Sequence, residues 1–77
     1  MVNKKEGMLV GAIRAFAAEH GTPNRVSPGE LAAQYAAPVP REIGILMRNH
    51  QILLNEALKL HGLQARYQDR MIEVQST

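Results

Sequence analysis

The sequence contains no cysteine and no tryptophan, and only three of its 77 residues are aromatic. Without cysteine the chain can form neither a disulfide framework nor a thiolate zinc site. Three histidines remain, His20, His50 and His61, and the last two share nearby faces of one helix only if that helix is unbroken. We interpret all three as surface or boundary residues, and we predict neither a metal site nor a cofactor.

Long apolar runs and a strong excess of one charge are missing as well. No apolar stretch approaches the roughly 20 residues that a helix needs to cross a bilayer, so we predict no membrane partner and a cytoplasmic location. Nine Lys and Arg against seven Asp and Glu give a net charge of only +2. Such a small excess supports a nucleic-acid partner only weakly, because it attracts phosphate little when it is spread evenly.

The sequence also lacks the usual constellations of catalytic residues. It offers no Ser/His/Asp or Cys/His set, no glycine loop that cradles phosphate, and no carboxylate pair that can be assigned to a cleft. We therefore predict that the protein is not an enzyme. The 77 residues are expected to form one domain, residues 1–77, with residues 1–4 frayed, and the modest core of so small a domain leaves dimerisation open.

Helical periodicity is present from the start of the chain. Leu9, Ile13 and Phe16 recur at helical spacing and predict a helix over residues 5–20. Gly21 is well placed to end that helix.

A second helix is indicated by the run Ser27-Pro28-Gly29-Glu30, which follows a predicted loop at residues 22–25. The serine can accept from the backbone N–H three residues on, and the glutamate can reach back to the serine N–H, as in a capping box. Proline suits the first helical position. A short helix is therefore predicted over residues 28–36.

Apolar residues recur at helical spacing again from Ile43 to Leu60, and Gly62 is the predicted stop. Two versions fit this pattern. One is a single helix of about twenty residues; the other breaks near Arg48-Asn49, with Asn49 capping a helix over residues 50–61. We favour the break.

The end of the chain changes period, because Leu63, Ala65 and Tyr67 alternate with polar residues. Asp69-Arg70 separates them from a second short apolar stretch and predicts a hairpin of two strands, although the turn lacks glycine. The predicted fold is mainly α with a small β-hairpin: three to four helices followed by a two-stranded wing.

Helices followed by a hairpin match the winged helix-turn-helix plan. In that plan one helix presents its exposed side to the major groove, and the hairpin reaches along the backbone or into the minor groove. Amides and arginines suit base edges, while lysines and arginines suit phosphates. Double-stranded DNA is thus the predicted partner, and the candidate contacts are Gln51, Asn55 and Lys59 on the last helix, Arg48 and Asn49 in the turn, and Arg66 and Arg70 on the hairpin.

One stretch of the chain resembles a known family. Glu42-Ile43 would open the first helix, Leu54-Asn55 and Leu58 lie in the second, Gly62-Leu63-Gln64 leads into a strand, and Arg66 and Ile72 occupy hairpin positions. With these residues, the stretch 42–74 resembles the C-terminal domain of phage antirepressors, a helix-turn-helix type module of phage and plasmid proteins. Arg48 stands where that family tends to carry a turn glycine. The resemblance implies a transcriptional regulator of a phage, plasmid or other mobile element.

Two alternatives stay open. The helix-turn-helix could lie earlier, with residues 27–36 as its first helix, 37–39 as the turn and 40–50 as the helix that reads DNA, exposing Arg41, Glu42, Arg48 and Asn49. The domain could instead bind a protein through the apolar residues of 43–60. It would then be a phage-type inhibitor or adaptor of a host protein, or an oligomerising subunit such as a homodimer.

Overall fold

The computed structural model describes residues 3–77, and in them it contains four helices and a three-stranded antiparallel sheet. Within this range no helix combines the length and the apolar character needed to span a bilayer. The strand order is β1-β3-β2, so the last strand of the chain lies in the middle of the sheet. The elements in chain order are α1 (Lys4–His20), β1 (Asn24–Val26), α2 (Pro28–Gln34), α3 (Pro40–Asn49), α4 (Gln51–Lys59), β2 (Leu63–Gln68) and β3 (Met71–Ser76).

Helix α1 has the predicted extent within one residue, and its start is capped. The Asn3 side chain accepts from the Glu6 N–H at 2.8 Å, and the Glu6 carboxylate accepts from the Asn3 N–H at 3.2 Å. Of the residues expected to be frayed, Asn3 and Lys4 therefore belong to a capped helix start, while residues 1 and 2 lie outside the described range. Gly21 ends the helix with φ 81°, a conformation that suits glycine.

Helix α2 begins at the predicted cap. The Ser27 hydroxyl oxygen accepts from the Glu30 N–H at 3.1 Å, but the Glu30 carboxylate accepts from the Ser27 hydroxyl rather than from its backbone. The helix ends two residues earlier than predicted, because Tyr35 adopts extended geometry at φ −132°. The Tyr35 ring packs edge-on to Phe16 of α1, with ring centroids 6.5 Å apart.

The break between α3 and α4 is confirmed, but its predicted cap is wrong. Asn49 is the last residue of α3, and no side chain caps α4. The chain changes direction at His50, with φ −126° and ψ 24°. His50 Nδ1 lies 4.0 Å from Oε2 of Glu6, a carboxylate that is only 4% exposed. No capping side chain marks this break in the sequence. The break instead lies beside Glu6, a buried residue of the first helix that is distant in sequence.

The hairpin is confirmed, whereas the expectation of only two strands is wrong. β2 and β3 pair with Gln68 opposite Met71, and Asp69 and Arg70 form the turn with φ of 53° and 60°, which glycine usually supplies. β1 adds a third strand on the other side of β3. The sequence predicts a loop there, because three residues show no periodicity and their partner strand lies near the other end of the chain.

One hydrophobic cluster joins all four helices to the sheet. Apolar side chains spaced along each helix and on one face of the sheet point into it, as the periodicity predicts. The side chains that are less than 2% exposed are Leu9, Ile13, Leu31, Ile43, Met47, Leu54, Leu58, Ile72 and Val74.

Candidate nucleic-acid interface

The outward side of α3 carries most of the polar groups that could contact DNA. Arg41, Ile45, Arg48 and Asn49 are all exposed, and their spacing places them along one side of the helix. The opposite side of α3 is buried in the core. Two guanidinium groups, one amide and one apolar side chain thus face solvent together.

The charge on this side of α3 is not balanced by its surroundings. Glu42 is the only acid in α3, and its carboxylate lies 2.6 Å from Lys5 Nζ of α1. Among residues 3–77 neither Arg41 nor Arg48 forms an ion pair. The face of α3 formed by Arg41, Ile45, Arg48 and Asn49 therefore keeps two positive charges, and we call it the α3 face.

A glycine lets α3 lie close to the hairpin. A Cβ atom at Gly44 would lie 3.3 Å from the hydroxyl oxygen of Tyr67 in β2 and 4.0 Å from Nη2 of Arg48. Contacts that close leave little room for a side chain. Gly44 thus lies between Tyr67, near the turn end of the hairpin, and the guanidinium of Arg48. The spacing of apolar residues along α3 gives no sign that position 44 lies this close to the hairpin.

We expect the effect of Gly44→Ala on stability to depend on Tyr67. Alanine gains up to about 1 kcal/mol over glycine inside a helix, but here its methyl group would crowd the Tyr67 hydroxyl. The substitution should therefore be nearly neutral in the natural sequence and stabilising by up to about 1 kcal/mol in a Tyr67→Phe background. Urea unfolding of the natural chain, the two single variants and the double variant measures the effect of Gly44→Ala in each background. Equal effects in both backgrounds would show that Gly44 and Tyr67 are not coupled.

Asn55, predicted to contact DNA, makes hydrogen bonds within the chain. Its Nδ2 donates to the carbonyl oxygen of Ala65 at 2.9 Å and to that of Gln51 at 3.1 Å, and its Oδ1 accepts from the Ala65 N–H at 2.7 Å. Ala65 lies in β2, an edge strand of the sheet. Both donor hydrogens of Asn55 are occupied inside the chain, so the side chain holds α4 against β2 rather than facing a base.

The exposed side of α4 is largely apolar. Ile52, Leu53 and Leu60 are 79%, 41% and 83% exposed. Of the other predicted contacts, Lys59 is exposed near the end of α4 and Gln51 is half-buried at its start. Lys59 is thus the exposed one of the three candidate contacts on α4, and large apolar side chains lie beside it. The apolar pattern over residues 43–60 could not distinguish these three exposed side chains from the buried ones.

The two hairpin arginines differ in their surroundings. Arg66 Nη2 lies 3.5 Å from Glu73 Oε1 and donates to Gln68 Oε1 at 2.8 Å. Arg25 Nε of β1 lies 3.8 Å from the other oxygen of Glu73, so one carboxylate lies between two guanidinium groups. Arg70 is exposed in the turn and forms no ion pair within the described range.

The pairing of Arg66 with Glu73 could have been found from the sequence. A two-residue turn at Asp69-Arg70 places residue 66 opposite residue 73, which is the observed register. The opposite charges are therefore cross-strand neighbours. Arg66 is a weaker candidate for a phosphate contact than the sequence alone suggests.

An open groove of about 630 Å³ lies elsewhere, between α1 and the start of β2. It is lined mainly by glycine and alanine of α1, and Arg14 and His61 are its titratable lining residues. Several converging polar groups usually fix a small ligand in its pocket, and this groove does not offer them. No group of three or more metal-ligating side chains occurs among residues 3–77.

Comparisons of the chain with protein-family models, with curated proteins and with solved structures gave no match. The assignment of a function therefore depends on the geometry of the chain's own residues. Of the eight predicted contacts, five are exposed and form no ion pair among residues 3–77: Arg41, Arg48 and Asn49 on α3, Arg70 in the hairpin turn, and Lys59 on α4.

Proposed function

We propose that the chain is a winged helix-turn-helix domain that binds double-stranded DNA. In this proposal α2 and α3 form the helix pair, α3 lies in the major groove, and the β2–β3 hairpin is the wing. The α3 face, with its two unbalanced arginines and its asparagine, is the observation that carries the proposal. The resemblance of residues 42–74 to antirepressor domains pairs α3 with α4 instead, so it supports only the broader proposal of a transcriptional regulator of a phage, plasmid or other mobile element.

The chemistry of the α3 face suits base recognition. Arginine can donate two hydrogen bonds to guanine. Asparagine can donate to adenine through its amide nitrogen and accept through its amide oxygen, and an apolar side chain such as Ile45 can contact the thymine methyl. Arg41 and Arg48 are seven residues apart, about 10 Å along a helix. That separation corresponds to about three base-pair steps, which is the reach expected of a short helix in the groove.

The position of the hairpin supports a second contact with the same DNA. Tyr67 of β2 packs over Gly44 of α3, so the hairpin and the α3 face cannot move independently without losing that contact. Arg70 lies at the exposed turn, where it can reach a phosphate. Arg66 contributes less, because Glu73, which also lies near Arg25, offsets part of its charge.

The salt dependence of binding tests the proposal. With Arg70 on a phosphate and up to two α3 arginines close enough to neutralise others, the logarithm of the association constant should fall with the logarithm of salt concentration with a slope between about −1 and −3. Replacing Arg70 with glutamine should reduce the magnitude of that slope by about 1. Fluorescence anisotropy of a labelled duplex measures both values. Absence of duplex binding at low salt would end the proposal.

A protein-binding module remains the second candidate function. The observation that favours it is the exposure of Ile52, Leu53 and Leu60 on α4, because large apolar side chains grouped on a surface often mark a contact with another protein. The rest of the apolar stripe over residues 43–60 is mostly core, so a partner would meet the outer side of α4 alone.

A further inference from the structure

The exposed residues on the outer side of α4 are arranged so that they could pack against the same residues of a second α4 helix. The helix runs from Gln51 to Lys59, and Leu60 continues its geometry with φ −61° and ψ −19°. Leu53 and Leu60 are seven residues apart, two helical turns, and so lie along one line on the surface. Ile52, Glu56 and Lys59 are spaced by four and three residues and form a parallel line beside it.

We propose that α4 forms an antiparallel pair with α4 of a second copy of the chain across a two-fold axis. An axis between residues 56 and 57 places Leu53 of each copy against Leu60 of the other. An interface of this kind uses the same patch on both subunits. It covers three of the five large apolar side chains that are exposed among residues 3–77.

The charges on this side of α4 favour the antiparallel arrangement. With that axis, Glu56 of one copy lies about 3 Å along the helix direction from Lys59 of the other, so two intermolecular ion pairs form. The two Glu56 carboxylates approach each other near the axis, but a lysine flanks each of them. A two-fold parallel pair would instead place the two lines of Glu56 and Lys59 on opposite sides of the Leu53–Leu60 seam, where these ion pairs could not form. Within residues 3–77 neither side chain has an ion-pair partner of its own.

The small size of the helix makes this a weak dimer. A stable interface buries about 800 Å² per partner, which is about one sixth of the chain's surface of 4764 Å². A helix of nine residues is only about 14 Å long and supplies less than that. We therefore expect a dissociation constant of roughly 10 to 500 µM, as for transient complexes.

A charge-swap experiment tests the pairing. Sedimentation equilibrium of the natural chain should show a monomer–dimer equilibrium. Glu56→Lys alone gathers four positive charges at the interface and Lys59→Glu alone gathers four negative charges, so each should weaken the dimer by about tenfold or more. The double variant Glu56→Lys/Lys59→Glu restores two charges of each sign, and dimerisation should return to within about threefold of the natural value.

Leu60→Ser is the matched apolar test, because the Leu60 side chain is mostly exposed and its loss should leave the fold intact. It should weaken the dimer while thermal unfolding of the dilute monomer stays nearly unchanged. A natural chain that remains monomeric at about 1 mM, or a dimer that the single charge variants leave unaffected, overturns the proposal. The measurement uses no DNA, so its result is independent of the proposed DNA binding.

Discussion

Replacing Arg48 with glutamate is expected to weaken binding to duplex DNA by about 30- to 100-fold at low salt. The substitution removes a guanidinium from the α3 face and puts a negative charge where a phosphate or a base edge would lie. It should not unfold the chain, because Arg48 is exposed and forms no ion pair among residues 3–77. Anisotropy titration measures the affinity, and circular dichroism checks the fold.

Arg14→Glu is the matched control for this variant. It makes the same change in net charge, and Arg14 is exposed on α1, where it lines the open groove. We expect it to weaken binding by no more than about threefold, through the general loss of positive charge. An equal loss of affinity in Arg14→Glu and Arg48→Glu would show that only net charge matters, and α3 would lose its special role.

Replacing Asn55 with alanine is expected to lower the free energy of unfolding by about 2–5 kcal/mol. The change removes the hydrogen-bond partners of both the N–H and the carbonyl of Ala65, a residue that is 1% exposed. Each buried backbone group left without a partner costs about 1–3 kcal/mol. In a domain of this size such a loss lowers Tm by about 10 °C or more, which thermal unfolding can measure.

Glu56→Ala is the control for Asn55→Ala. Glu56 is the next residue on the same helix and is exposed, so its replacement should change the free energy of unfolding by less than about 0.5 kcal/mol. At a temperature where both variants are folded, Asn55→Ala should keep most of its affinity for DNA. If Asn55→Ala instead abolished DNA binding and left stability unchanged, the amide would be a base contact, and the assignment of the reading role to α3 would be wrong.

Periodicity was sufficient to predict most of the elements. Leu9, Ile13 and Phe16 repeat on one side of α1, and the capping run at Ser27 marks the start of α2. The two-residue spacing from Leu63 to Tyr67 indicates β2. These patterns are local, because each arises from the geometry of one element packed against a core.

Contacts between distant parts of the chain could not be predicted in this way. β1 exists because Val26 pairs with Ile72, and a three-residue segment carries no sign of such a partner. The side chain of His50 meets Glu6 at the break between α3 and α4, which no capping motif reveals. The exposure of Ile52 and Leu60 likewise depends on how α4 packs against α1 and β2.

The candidate site could be predicted only in part, because some of its residues follow from local pattern and others depend on contacts between distant parts of the chain. Arg41, Arg48 and Asn49 follow from the version of the helix-turn-helix that begins at residue 27, and α3 has nearly the extent which that version predicts. Asn55 looks equally suitable from its residue type alone. Its amide is nevertheless used by the backbone of Ala65, and this contact depends on the tertiary fold.

Mapping of backbone amide shifts by NMR during titration with duplex DNA is the most direct measurement of where DNA binds. At low salt the largest shifts should lie in residues 41–49 and at Asp69 and Arg70, and raising the salt concentration should reverse them. Shifts confined to the outer side of α4, around Ile52, Glu56 and Leu60, would contradict the proposal that α3 and the hairpin bind DNA. A spectrum unchanged by a large excess of duplex would contradict it as well.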